Sequence, residues 1–231
     1  LRTYPDLLGD AGYFVGFSGK GWAPGDYHPG GRSHNPAGKH YKDFDAFLAK
    51  LPADQPFCFW FGSHHPHRPY VAGSGIAAGV DASKVIVPPM LPDVPEVRSD
   101  VATYLNEVQK FDKQCAEIIA SLKKSGRMNN TLIVATSDNG MPFPRAKSTL
   151  YEWGTHEPMA VRWPGHVTPG RTVDDLVSLM DLCPTFLDAA GVKIPAGLTG
   201  RSLVPLLDSD KSGQIDPTRD ALFLAGDFNG W

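Results

Sequence analysis

Apolar positions in this chain follow two spacings. Short unbroken runs read as strands: YFVGF at 13–17, FCFWF at 57–61, TLIVAT at 131–136 and MAVRWPG from Met159. Elsewhere apolar residues recur every three or four positions. The clearest such stretch runs from Val101 through Tyr104, Leu105, Val108, Phe111 and Cys115 to Leu122, and KKSG closes it with cations and glycine. TYPDLLGDAGY predicts a helix with Thr3 as N-cap, Pro5 in the first turn, Asp6 three residues past the cap and Gly12 as the stop. DFDAFLAKL and CPTFLDAAG predict two short helices. Strand and helix alternate, which predicts an α/β fold with a predominantly parallel central β-sheet flanked by helices.

Two stretches carry no period. Residues 23–42 are rich in Gly, Pro and His, and residues 71–98 end in VPPMLPDVPEVR. Long structureless loops in a domain usually serve as lids or substrate walls. Three strands read as buried, and each ends in reactive residues: Lys20 after the first, His67 after the second, Asp138 and Asn139 after the third. Ligands of open parallel sheets bind beyond the carboxyl ends of the strands. If these strands are parallel neighbours, the three clusters share one crevice.

Composition adds mainly exclusions. The 231 residues are 42% hydrophobic and 20% charged, with a formal net charge of -3. Such a balance gives no general attraction to nucleic acid or anionic membrane. No apolar run reaches the ~18 residues of a spanning helix. Three cysteines are too few, and of the wrong parity, for a disulfide framework; Cys58 and Cys115 read as core. The chain opens on Leu1, close to a helix start, and stops at Trp231 after the strand-like ALFLAGDF, so it reads as an internal piece of a longer protein.

Lys20 lies in SGKGW, between glycines that let backbone approach a ligand, though a solvated turn lysine would look the same. The spacing of a phosphate-binding P-loop is absent. In HHPHRP, His67 is flanked by prolines and can donate a hydrogen bond or shuttle a proton near neutral pH. Zinc fits poorly, because His64 and His65 are adjacent and no carboxylate partner follows. Asp138 and Asn139 offer hard oxygens suited to Ca²⁺ or Mg²⁺, but two ligands cannot fill six or more positions. Lys147 in RAKSTLYEWGTHEP adds another cation. Unit charges about 4 Å apart interact by roughly 4 kcal/mol at an effective dielectric of 20. Two lysines, a histidine and a divalent cation gathered together therefore imply an anionic substrate group. Asp112 reads as a buried structural carboxylate, and NNT at Asn129 matches a glycosylation acceptor.

In this order the clusters resemble the sulfatase family of the alkaline phosphatase superfamily. LLGDAGYFVGFSGKGW is similar to the family's helix, strand and lysine loop, SHHPHRP to its Pro-His-x-Pro segment, and TLIVATSDNG to its metal-binding strand end. KSTLYEWGTHEP resembles its second lysine segment, and DLCPTFLDAAGV with LTGRSLVPLL its later landmarks. The resemblance covers residues 1–207 as the central and C-terminal part of a catalytic domain. It leaves 208–231 as the start of a connection to a smaller C-terminal region. SDNGMPFP before Lys147 is similar to the sulfamidase branch, which removes N-linked sulfate from glucosamine.

The resemblance implies that Lys20, His67 and Lys147 hold the sulfate and the leaving atom. Asp138 and Asn139 would then supply part of a site for one Ca²⁺, and His28 and His156 would touch substrate. It implies a sulfated carbohydrate as partner, and a periplasmic, secreted or lysosomal setting. The family nucleophile is a formylglycine made from cysteine in a Cys-x-Pro-Ser-Arg segment, and Cys58, Cys115 and Cys183 all fail that pattern. That cysteine and the family's paired aspartates would lie before residue 1. Trp22 stands where the family usually has histidine, and His28 is the candidate substitute. Two alternatives remain: a phosphodiesterase or phosphatase of the same superfamily, and a non-catalytic binder of sulfated glycan.

Overall fold

Strand β1 (Phe14–Gly19) pairs in parallel with β3 (Phe57–Gly62), from Phe14 opposite Phe57 to Gly19 opposite Gly62. Its other edge pairs in parallel with the two-residue β2 (Lys39–His40). This computed structural model describes residues 2–22 and 25–224. Contacts divide the chain into two units, one of residues up to Gly62, Ser121–Ala135 and Ala160–Phe223, the other of Ser63–Ala120 and Thr136–Met159.

In the first unit, α1 (Tyr4–Asp10) starts where Thr3 N–H donates to the Asp6 carboxylate at 2.8 Å, and the chain turns at Gly12 with φ +91°. Alternate residues of β3, Phe57 and Phe59, face α2 (Phe44–Leu48), where Phe44 and Phe47 meet them at ring distances of 4.8–6.3 Å. Phe47 is fully buried. Gly16 of β1 leaves room for this cluster, because a Cβ there would lie 2.6 Å from the Tyr41 ring and 2.9 Å from Phe47. Replacing Phe47 with alanine would cost about 3–5 kcal/mol. The later landmarks pack together: α6 (Leu182–Ala189) follows Asp181, whose carboxylate accepts from Arg201 N–H at 2.7 Å and from the buried Arg219 guanidinium at 2.7 Å. α7 (Val204–Leu207) closes that segment. Strand β4 (Ile133–Thr136) pairs with β5 (Met159–Arg162) in a separate two-stranded sheet, most of which belongs to this unit.

In the second unit, the long predicted helix is α4 (Pro95–Lys124), whose final residues belong to the first unit. Val101 and Ala102 form a buried cluster with Val85 and Phe143. Among the described residues no helix is long and apolar enough to cross a membrane.

Several expectations need correction. The stretch 71–98 is not one loop: it contains α3 (Ser74–Ala77), a single-turn helix at Ala82–Lys84, and the start of α4 at Pro95. The 23–42 loop contains a helical turn at His28–Gly30, as well as β2. β3 is less buried than a central strand, since it has one sheet neighbour and Trp60 is 43% exposed. Asp112 is exposed, and Glu107 is the buried carboxylate of α4. Five residues on a helix turn the side chain by about 140° from its starting face, so the two cannot share an environment. Of ALFLAGDF, residues 221–224 form no strand and the rest lies outside the described residues.

Candidate active site

Lys20 follows directly from the paired ends of β1 and β3. Its N–H donates to Gly62 O at 2.6 Å, and its carbonyl accepts from Trp60 Nε1 at 2.9 Å. The close approach requires glycine on both strands, because a Cβ on Gly19 would overlap Gly62 O and one on Gly62 would overlap Lys20 O. The Lys20 backbone is thus fixed, and among the described residues its ammonium makes no ion pair. In the same unit, exposed His28 pairs through Nδ1 with Asp26 Oδ1 at 2.7 Å and stacks on Tyr27 at 4.3 Å. One of its nitrogens is therefore already engaged locally.

The second unit holds the other candidates. His67 is exposed, its N–H donates to His64 O at 3.0 Å, and its Nδ1 hydrogen-bonds Arg68 O. A carbonyl can only accept, so Nδ1 carries the proton and Nε2 is the free atom of the ring. Tyr70 O–H donates to Pro66 O at 2.6 Å across the same turn. The flanking His65–Pro66 and Arg68–Pro69 peptide bonds are cis. Neighbouring His65 is engaged elsewhere. Its Nδ1 lies 2.6 Å from Glu107, which also takes Lys110 at 2.6 Å. Burial opposes ionisation of Glu107, yet Lys110 and His65 hold its carboxyl below the usual range.

Asp138, Asn139 and Lys147 lie on one folded-back loop. Asp138 is exposed and, among the described residues, has no hydrogen-bond or ion-pair partner. Asn139 Nδ2 donates to Gly140 O at 2.8 Å, which leaves its Oδ1 as an oxygen donor toward a cation. Lys147 N–H donates to Met141 O at 3.1 Å, returning the lysine to the residues that follow Asn139. Lys147 is half-buried, and its ammonium has no ion-pair partner among the described residues. Arg145 and Ser148 around it adopt left-handed backbone, with φ 62° and 63°. Non-glycine residues rarely do so, and such outliers gather at functional sites. The loop packs tightly enough on α5 (Glu152–Thr155) that a Cβ on Gly140 would overlap the Trp153 carbonyl.

His156 is exposed and pairs with Glu152 at 2.6 Å. Beside it stands Glu157, which no motif in the sequence singles out. Among the described residues its buried Oε1 has no hydrogen-bond partner, and burial, with the Asp138 charge, raises its carboxyl against the opposing pull of Ser137 and His156. An acid directly before Pro158 in THEP is the one signal that could have marked it.

The residues fit a calcium ion in part. Asp138 and Asn139 Oδ1 are unspent hard oxygens suited to Ca²⁺. Among the described residues, however, no group of three or more His, Cys, Asp or Glu side chains forms a complete site. The cysteines do not fit a nucleophile. Burial pushes the Cys58 thiol up to about 12 and raises Cys115 and Cys183, which suppresses thiolate formation. A concavity of about 440 Å³ in the first unit is lined by Arg201, Asp216 and Arg219 and includes none of these site residues.

The chain belongs to the sulfatase family, whose family model matches residues 27–192. It is 33% identical over 188 residues to human N-sulphoglucosamine sulphohydrolase, a match that covers 68% of this chain and 38% of that protein. A solved phosphonate monoester hydrolase from Silicibacter pomeroyi is 28% identical, with a TM-score of 0.60, over 71% of this chain and 40% of that one. A likeness of fold alone links it to BT4656, solved in complex with its substrate D-glucosamine-2-N,6-O-disulfate: 20% identity, TM-score 0.67, 94% of this chain and 66% of that one. The chain thus spans about two fifths of the human relative's length.

Proposed function

We propose that the whole protein hydrolyses a sulfuric ester or sulfamate on a sulfated sugar, with N-sulfoglucosamine as the leading substrate. What supports this is Lys147, whose ammonium has no ion-pair partner among the described residues and whose backbone a strained loop returns to Met141, two residues past Asn139, in a member of the sulfatase family. The substrate class follows the 33% identity to human N-sulphoglucosamine sulphohydrolase.

In this mechanism the Lys20 and Lys147 ammonium groups bind the sulfuryl oxygens and stabilise the charge that grows on them. With both ring nitrogens protonated, His67 gives its Nε2 proton to the leaving oxygen or nitrogen, while Nδ1–H stays committed to Arg68 O and is the proton that the neutral ring keeps. His28 and His156 are assigned to the sugar. Asp138 and Asn139 would hold part of a Ca²⁺, which when bound supplies further positive charge against the sulfate. The nucleophile, a formylglycine in this family, would come from outside this chain.

The test is release of inorganic sulfate by the full-length protein from glucosamine N-sulfate, glucosamine 6-sulfate and 4-nitrophenyl sulfate. Sulfate release with a preference for the N-sulfate is the expected result. Turnover of a phosphonate monoester alone would instead favour the superfamily alternative, for which the Silicibacter pomeroyi hydrolase is the specific support. Binding of sulfated glycan without turnover would make the protein a binder and defeat the proposal.

A further inference from the structure

Arg68 joins three parts of the second unit through one side chain. Nη1 and Nη2 donate to Asp100 Oδ1 and Oδ2, at 3.2 and 2.6 Å, in the early turns of α4. Nε donates to Pro142 O at 3.1 Å, on the loop between Asn139 and Lys147. The guanidinium lies 4.5 Å over the Tyr70 ring and 5.0 Å over that of Phe143, which is buried against Val101 and Ala102. The backbone of Arg68 meanwhile accepts the His67 Nδ1 proton. One residue therefore sets the tautomer of His67 with its carbonyl, and ties the His67 segment to the Asp138–Lys147 loop with its side chain.

We propose that Arg68 is a positioning residue that holds His67 Nε2 in register with the loop bearing Asp138, Asn139 and Lys147. Stability is not its main contribution. Its side chain is 38% exposed and that of Asp100 42%, and ion pairs so wet contribute little. Geometry is the better account: only a planar fork can grip both carboxylate oxygens and still reach Pro142 O, so lysine cannot replace it. Direct contact with sulfate is the rival role, but three of the five guanidinium N–H donors, one on each nitrogen, are already spent on Asp100 and Pro142 and fix the fork within the protein.

The proposal rests on the catalytic part given above to His67, and its test separates the two. In the full-length protein, Arg68→Met keeps the apolar stem and removes the fork, Arg68→Lys keeps only the charge, and Asp100→Asn weakens the grip from the other side. The expected result for Arg68→Met is a kcat for sulfate release lowered ~10- to 100-fold, since small misplacements reach that size. KM should stay within about twofold, and Arg68→Lys should not rescue. With ¹⁵N-histidine labelling, at a pH where the ring is neutral, His67 should show the Nδ1–H tautomer in the wild type and a mixed population in Arg68→Met and Asp100→Asn. A rise in KM alone, or an unchanged His67 tautomer in both variants, would overturn the positioning role. If the wild type released no sulfate from any substrate, the proposed activity would fall. The tautomer would then still decide for or against Arg68.

Discussion

The N–H of Lys20 donates to Gly62 O at 2.6 Å, so the residue leaving β1 is pinned to the last residue of β3. Any side chain at Gly62 must displace the Lys20 carbonyl. Gly62→Ala should destabilise the protein by about 1–3 kcal/mol, the usual cost of overpacking. It should also lower turnover by moving Lys20. Gly30→Ala, where an added Cβ meets nothing within 4 Å, is the matched control and should be near neutral in urea unfolding.

Lys147→Ala should lower kcat for sulfate release at least ~100-fold, a typical loss for one electrostatic contact in a site. Thermal unfolding should barely change, because the ammonium makes no ion pair among the described residues. Near-normal turnover in this variant would remove Lys147 from the mechanism.

Chelation of Ca²⁺ from the full-length protein should abolish sulfate release, and added Ca²⁺ should restore it. Asp138→Ala should raise the Ca²⁺ concentration for half-maximal activity about tenfold or more, since removing a charged ligand weakens such sites. Full activity in EGTA with Asp138 intact would contradict the calcium assignment.

Asp6 titrates well below its ordinary 3.8. Burial opposes its ionisation, but Arg32 at 2.7 and 2.8 Å and the Thr3 N–H pull the carboxyl down to about 2. A depressed folded-state value stabilises the fold above the unfolded value and is lost as pH falls through the folded one. Asp6 should therefore contribute up to about 2 kcal/mol above pH 4, fading between about pH 4 and pH 2. Denaturation curves of Asp6→Asn should lack this component, and an identical acid limb in both proteins would refute it.

Local patterning carries much of the fold. Thr3, Pro5, Asp6 and Gly12 announce α1 within a few residues, and the spacing from Val101 to Leu122 lies inside the observed α4. What stays hidden is non-local. β2 is two residues long and exists only because Lys39 and His40 meet Gly16 and Phe17, which no window around residue 40 can reveal. The candidate residues divide the same way. Lys20, His67, Asp138, Asn139 and Lys147 stand in recognisable segments, whereas Arg68 acquires its role from Asp100 and Pro142, 32 and 74 residues away. Asp112 misleads because Phe111 beside it and Val108 and Cys115 one turn away are apolar, while it projects about 140° round the helix from Glu107.

Lys147 sits between two residues, Arg145 and Ser148, that glycine would suit better. Protein engineers seeking a sturdier variant would be drawn to glycine at Ser148, with roughly 1 kcal/mol of relief, whereas at Arg145 the guanidinium 4.7 Å over the Tyr151 ring would be lost in exchange. That gain in robustness would come with a slacker hinge beside the lysine, so the sturdier variant should be the slower one. Melting temperature and kcat should move in opposite directions in Ser148→Gly.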